Sequence, residues 1–196
     1  MAINTLQELH SRAMRACGGA VAQATPAELG RPTPCAGWTL ADLLAHMTVQ
    51  DSGFAGAARG AVTTVADWRP VYHGDEAIAR YAEAAADVEQ ALAEVGVLER
   101  AFVIPEFTTG QPIKGPSAVR AHLIDAVVHG WDVARTLGVG YELDDEVLAE
   151  SLAIAESIPD GDNRGTFFSR AVAVDPQAAP LDRIVAHLGR SPVWPD

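Results

Sequence analysis

An all-α fold is what this sequence predicts: an antiparallel four-helix bundle with a long crossover and a C-terminal extension containing a short helix. Three observations lead there. Long stretches carry apolar residues at three- and four-residue spacing, the period of an α-helix. Loops rich in proline and glycine separate these stretches. One stretch, residues 117–137, is apolar nearly all round, as expected of a helix covered on several sides.

In chain order, residues 3–24 read as the first helix, with Ile3, Leu6, Leu9, Ala13, Ala16, Ala20 and Ala24 along its inner side. TPAELGRPTPCAGW is a loop. Thr39 caps the second helix, and Asp42 three residues on suits the positive helix start. That helix runs to about Arg59, with Leu40, Leu43, Leu44 and Met47 inward, and 60–74 is irregular. Asp75 to about Val95 forms a third helix. RAFVIPEFTTGQPIKGP alternates and is broken by Pro and Gly, so it is a short strand or extended crossover. The polar-striped helix 117–137 follows. Asp144 or Asp145 opens a fifth helix ending near Ile158, before Pro159. The tail is loop-rich, with a short strand expected at Val172–Val174 and a terminal helix, LDRIVAHLGR, closed by Gly189. All 196 residues fit one domain, divided into the bundle at 3–158 and the extension at 159–196.

A formal net charge of −12 with no Lys/Arg-rich run excludes the basic surface that nucleic acid or an anionic membrane would need. No stretch is apolar for long enough to span a bilayer, and the N-terminus lacks the pattern of a signal peptide. Two cysteines, Cys17 and Cys35, make no disulfide framework and no CxxC pair. A cytoplasmic protein with reduced thiols is expected. A phosphate-binding glycine loop, a G-x-S-x-G nucleophile elbow and a dinucleotide fingerprint are all missing from the sequence.

The functional expectation comes from the helix SAVRAHLIDAVVHGWDVARTL. His122, Asp125, His129 and Asp132 fall three, four and three residues apart, along one face of an otherwise apolar helix. Ionisable groups there are costly unless paired or bound to a metal. Asp125 and His129, one turn apart, can hold the same ion. A third ligand must come from another element. His46, at the border of the second helix's apolar face, is the candidate, although a satisfied core histidine is the alternative for it. Two imidazoles and a carboxylate would leave positions open for water or substrate and suit zinc, nickel or iron. Asp132 is expected to accept a proton from a ligand imidazole or to tie down a loop. His122 either lines the pocket or sits at the solvated helix start. Trp131 reads as packing, with a substrate platform as its other reading. Cys35 reads as a buried structural thiol, with a nucleophile as the other reading, and Cys17 as core. His10, His73 and His187 bear no spacing relation to the stripe and read as surface or core.

These residues also carry a family resemblance. TPCAGWTLADLLAHM resembles the TPC-x-x-W-x-x-x-x-L-x-x-H signature of the DinB/YfiT-like superfamily. HLIDAVVHGWDVARTLG resembles a second signature, an acidic residue ahead of H-x-W-D-x-A-R-x-x-G. That signature is typical of the actinobacterial branch similar to the mycothiol-dependent maleylpyruvate isomerase N-terminal domain. APLDRIVAHLGRSPVW is similar to the C-terminal segment of compact metal-binding proteins in that branch. The resemblance implies a DinB-like bundle with zinc or nickel at one end, held by His46, Asp125 and His129. It further implies a thiol cofactor such as mycothiol, bacillithiol or glutathione, bound to the metal as a thiolate for transfer or isomerisation. The acid here is Asp where the isomerase has Glu, RGTFFSRAVAV departs from the relatives' FG-x-x-V, and the isomerase's separate C-terminal domain has no counterpart, so a substrate other than maleylpyruvate is expected.

The sequence thus supports two functions. One is a metal-dependent, mycothiol-type transferase or isomerase acting on a small electrophilic substrate. The other is a non-enzymatic metal-binding bundle, with which a homodimer is compatible, whose ion is structural or sensory.

Overall fold

In the computed structural model, which describes residues 5–107, 111–161, 164 and 168–195, six α-helices and one two-stranded ribbon follow the expected order. Helix α1 spans Leu6–Val21, α2 Leu40–Ala58, α3 Ala77–Ala93, α4 Gly115–Leu137, α5 Asp145–Ser157 and α6 Pro180–His187. Strands β1 (Ala101–Phe102) and β2 (Ile113–Lys114) pair antiparallel within the crossover from α3 to α4. The first four long helices make the antiparallel bundle: α1 packs most heavily on α4, and α2 on α3. Among the described residues, no helix is long and apolar enough to cross a membrane.

Local chemistry sets the helix limits. Thr39 Oγ1 accepts from the Asp42 N–H at 3.3 Å, and Asp42 Oδ2 accepts from the Thr39 N–H at 2.8 Å, a reciprocal cap that starts α2. Thr5 and Glu8 do the same for α1. That helix therefore begins at Leu6; the expected inner residue Ile3 lies outside the described residues. Helix α4 starts two residues earlier than periodicity predicts, because Pro116 suits a first turn and the Gly115 N–H bonds Arg100 O at 2.9 Å. A side chain at Gly115 would meet the Val97 carbonyl at 2.6 Å, so glycine lets α4 leave the ribbon at this point. Helix α4 closes on Gly138, in the left-handed conformation at φ 73°.

The core has two parts. The larger lies among α1, α2, α3 and α4, with Leu40, Leu44, Phe54, Tyr81 and Val119 fully enclosed. Trp68, from the irregular stretch before α3, presses on α2 beside Phe54 and fills the space that a side chain at Gly53 would need. The smaller part joins α1 and α4 to α5 and α6 through Leu9, Leu123, Val127, Val147, Ile184 and Leu188. Helix α4 belongs to both, which is why it is apolar on nearly every side. The strand expected at Val172–Val174 is absent. The segment lies along α6 through one bond, Val172 N–H to Ala186 O at 2.9 Å, and an isolated bond makes no ladder. Of RGTFFSRAVAV, residues 165–167 lie outside the described part.

Candidate metal and substrate site

Two helices supply the centre. Helix α2 presents His46 at its apolar border, and α4 presents Asp125 and His129 one turn apart. One ligand atom from each of the three lies within 4.8 Å of the others. The His46 and His129 rings meet edge to face, with centroids 5.1 Å apart. His129 Nε2 faces Asp125 Oδ1 at 3.3 Å, while its Nδ1 faces Asp132 Oδ2 at 3.0 Å. Asp132 is wholly buried and is matched by Arg190, whose Nη2 donates to Asp132 Oδ2 at 3.1 Å. Cys35 Sγ also donates to that oxygen at 3.1 Å and lies 3.3 Å from Arg190 Nη2.

Cys35, His129 and Asp132 form a second group with metal-ligand spacing. The Arg190 guanidinium already brings positive charge to its carboxylate and its sulfur. Among the described residues no arginine or lysine forms an ion pair with Asp125, and His46, Asp125 and His129 open on a cleft of about 1300 Å³. The donor set, two imidazoles and a carboxylate with vacant space in front, fits a divalent ion.

The electrostatics follow from this crowding. Burial pushes the His46 imidazole down to about 4, helped by the neighbouring His129, so His46 is neutral at pH 7. For His129 burial also acts downward, but the Asp125 charge and the bonds to Asp125, Asp132 and Cys35 outweigh it and hold the imidazole well above its usual range. Burial acts upward on Asp125, and the charge of His129 overcomes it, leaving the carboxyl below its ordinary value. Asp132 is likewise lowered, with Arg190 as the main force against burial. The centre thus concentrates acceptors and a displaceable proton at one point.

The structure brings His46, Asp125, His129 and Asp132 together. It does not bring His122 with them. Although on the same face of α4, His122 neither lines the cleft nor sits at a solvated helix start: it is 1% exposed, bonded to Asp51 Oδ1 at 3.0 Å and His10 at 2.8 Å. The reason is that His10 of α1 and Asp51 and Phe54 of α2 close over its ring. Trp131 is also no part of the pocket; it is buried with the Arg135 guanidinium 5.6 Å from its ring centroid. His10, with no spacing relation to the stripe, proves to be a core residue. Cys17 is core as expected, its thiol pushed up to about 12 by burial. Cys35 is not a sealed thiol: it is half-buried on the cleft wall. Arg190 and Glu106 went unpredicted. Arg190 stands in the terminal signature APLDRIVAHLGRSPVW, the only sequence signal that could have pointed to it. Glu106, which accepts from Gln50 Nε2 at 2.6 Å, carries none.

Known proteins share this framework. Two uncharacterized proteins of Mycobacterium tuberculosis, one from strain CDC 1551 / Oshkosh and one from strain ATCC 25618 / H37Rv, are each 29% identical over 184 residues, covering 93% of this chain and 96% of theirs. The crystal structure of the mycothiol-dependent maleylpyruvate isomerase superposes with a TM-score of 0.56 at 13% identity, over 76% of this chain and 68% of that one. A histidine-to-alanine mutant of that isomerase gives 0.60 at 12% identity with the same coverage, and at such identities the likeness is one of fold. The model of the mycothiol maleylpyruvate isomerase N-terminal domain matches residues 10–134, which run from the buried His10 through α2 and most of α4. The chain belongs to the mycothiol maleylpyruvate isomerase N-terminal domain family.

Proposed function

We propose that the protein is a divalent-metal-dependent enzyme that uses a low-molecular-weight thiol of the mycothiol type to transfer to, or isomerise, a small electrophilic substrate. The observation that carries this reading is the meeting of His46, Asp125 and His129 ligand atoms within 4.8 Å at the wall of a large cleft. His46, Asp125 and His129 would hold the ion, of which zinc, nickel and iron all suit the donors. When bound, the ion supplies Lewis acidity that stabilises a thiolate near neutral pH.

The chain's own residues prepare that site. Asp132 holds His129 through Nδ1 and so directs Nε2 toward Asp125 and the cleft. Arg190 fixes Asp132 with a charge-assisted bond. Because Arg190 comes from the C-terminal segment, we propose that bundle and extension work as one domain. Trp38 lines the cleft with its ring 5.1 Å from that of His46. Both cysteines are free thiols, in keeping with a cytoplasmic setting.

Elemental analysis of the purified protein tests the reading. About one divalent ion per chain is expected, lost in His46→Ala and His129→Ala variants that keep the helical circular dichroism of the parent. Metal-loaded protein should take up mycothiol in calorimetry, and chelated protein should not. Full metal occupancy in His46→Ala would overturn the ligand set. A metal-free protein that unfolds would support the other reading, a non-enzymatic bundle with a structural ion.

A further inference from the structure

We infer that the cleft takes a neutral, largely apolar small molecule as its substrate and discriminates against dicarboxylates. The inference rests on the proposed role of the cleft as the substrate site and specifies what it admits. All 14 Lys and Arg residues of the sequence lie in the described parts of the chain, so every lysine and arginine can be placed. Only Arg120 and Arg190 line the cleft. Both are already paired. Arg190 is buried against Asp132 at 3.1 Å, and Arg120 Nε donates to Glu150 Oε1 at 2.7 Å.

The acidic side is better supplied. Asp125, Glu150 and Glu106 all line the same cleft. Glu106 bonds the Gln50 amide and meets no cation among the described residues. The remaining wall is mostly hydrocarbon, chiefly Phe54, Phe107, Ile124, Val128, Ile154 and Phe168, with Phe54 and Phe107 edge to face at 5.9 Å. Its other polar groups, Gln50 and three serines, are uncharged. A dianion bound here could place one carboxylate at the ligand cluster. Its second would face Glu106, Glu150, a neutral serine or aromatic carbon, without an unpaired arginine or lysine. Burying an unpaired carboxylate is costly, whereas each apolar atom moved from water onto these walls is favourable. Maleylpyruvate, the compound after which the structurally similar isomerase is called, carries two carboxylates; among the described residues this cleft has no free cation for the second.

Competition for a neutral fluorescent probe, N-phenyl-1-naphthylamine, tests the inference on the full chain. Dimethyl phthalate and the phthalate dianion share a ring, do not alkylate thiols and differ in charge. In metal-free protein at pH 7.5 the ester should displace the probe at concentrations at least about tenfold lower than the dianion. Glu150→Gln, which frees Arg120, should narrow that gap several-fold by tightening phthalate and leaving the ester unchanged. Phthalate that competes as well as the ester, or a protein that does not take up the probe, would overturn the proposal. The same comparison with zinc added separates the two readings. An ester preference in a protein that binds no metal or thiol sinks the proposed function and leaves this inference standing. Equal competition in a protein that binds both does the reverse.

Discussion

His122 and His129 sit two turns apart on one face of α4, each beside a carboxylate and a second histidine, yet they end in opposite surroundings. His122 meets His10 from α1 and Asp51 from α2, and Phe54 packs edge to face on its ring at 4.7 Å. His10, Asp51 and His122 are each 4% exposed or less, and Asp51 Oδ2 is buried without a hydrogen-bond partner. His129 meets His46, Asp125 and Asp132, and its cluster faces a cleft of about 1300 Å³. The same residue types on the same helix therefore make a sealed polar strut around His122 and an open cluster around His129. What differs is the cover. His10 of α1 and Asp51 and Phe54 of α2 close over the His122 ring, whereas Pro34, Cys35 and Trp38 stand across open space from Asp125 and His129.

The sharpest way to break this distinction is His122→Ala. It leaves Asp51 without its bond to His122 and His10 without its acceptor, both in the core. Stability should fall by about 3 kcal/mol, the cost of stranding buried polar groups, as read from urea unfolding. Metal content should stay at that of the parent. Loss of the metal along with stability would mean that the two clusters are one site.

Asp132→Asn tests the open half more gently. The amide keeps the shape but not the charge that holds His129 Nδ1 and Arg190. Metal affinity should weaken by about 10- to 100-fold, with helical content retained, in competition with a chromogenic chelator. An unchanged affinity would reduce Asp132 to an anchor for the C-terminal segment.

The sequence made the centre partly legible for a physical reason. Asp125, His129 and Asp132 are related by helical spacing, which any local reading detects, and the Thr39 cap places His46 two turns into α2. Arg190 and Cys35 join Asp132 from 58 and 97 residues away, a relation that no periodicity encodes. Glu106 reaches the cleft from the crossover, whose path depends on the β1–β2 pairing. The fate of His122 was hidden for the same reason. A stripe tells which residues share a face and not what covers it, and the partner that settles the matter, His10, is 112 residues distant. The fold read more easily because its long helices are patterned over whole turns, while the tail, held by single bonds such as Val172 N–H to Ala186 O, offered no pattern to read.

The smallest effect expected is a change in the pH dependence of stability, and it probes whether the sealed half is sealed. Burial, with the adjoining His122, holds His10 well below the usual imidazole range, so it is neutral in the folded protein. The unfolded chain takes up a proton on His10 near pH 6.5, and the folded chain does not until the pH is far lower. This contribution is complete above about pH 6.5 and is lost as the pH falls, at about 1.4 kcal/mol per pH unit, until the folded group itself titrates. Other groups in the interior bend the curve too. Asp51, raised by burial, acts with the opposite sign, and His46, lowered to about 4, acts with the same one. Comparison with His10→Gln cancels both, because the glutamine amide still donates toward His122 Nδ1 but does not titrate. Between pH 6.5 and 5.5 the parent should lose about 1 kcal/mol more than the variant, because the unfolded imidazole is already half protonated at pH 6.5, as measured by urea unfolding at each pH. Parallel curves would show that water reaches His10 in the folded state, and the contrast between the His122 and His129 clusters would then be one of degree.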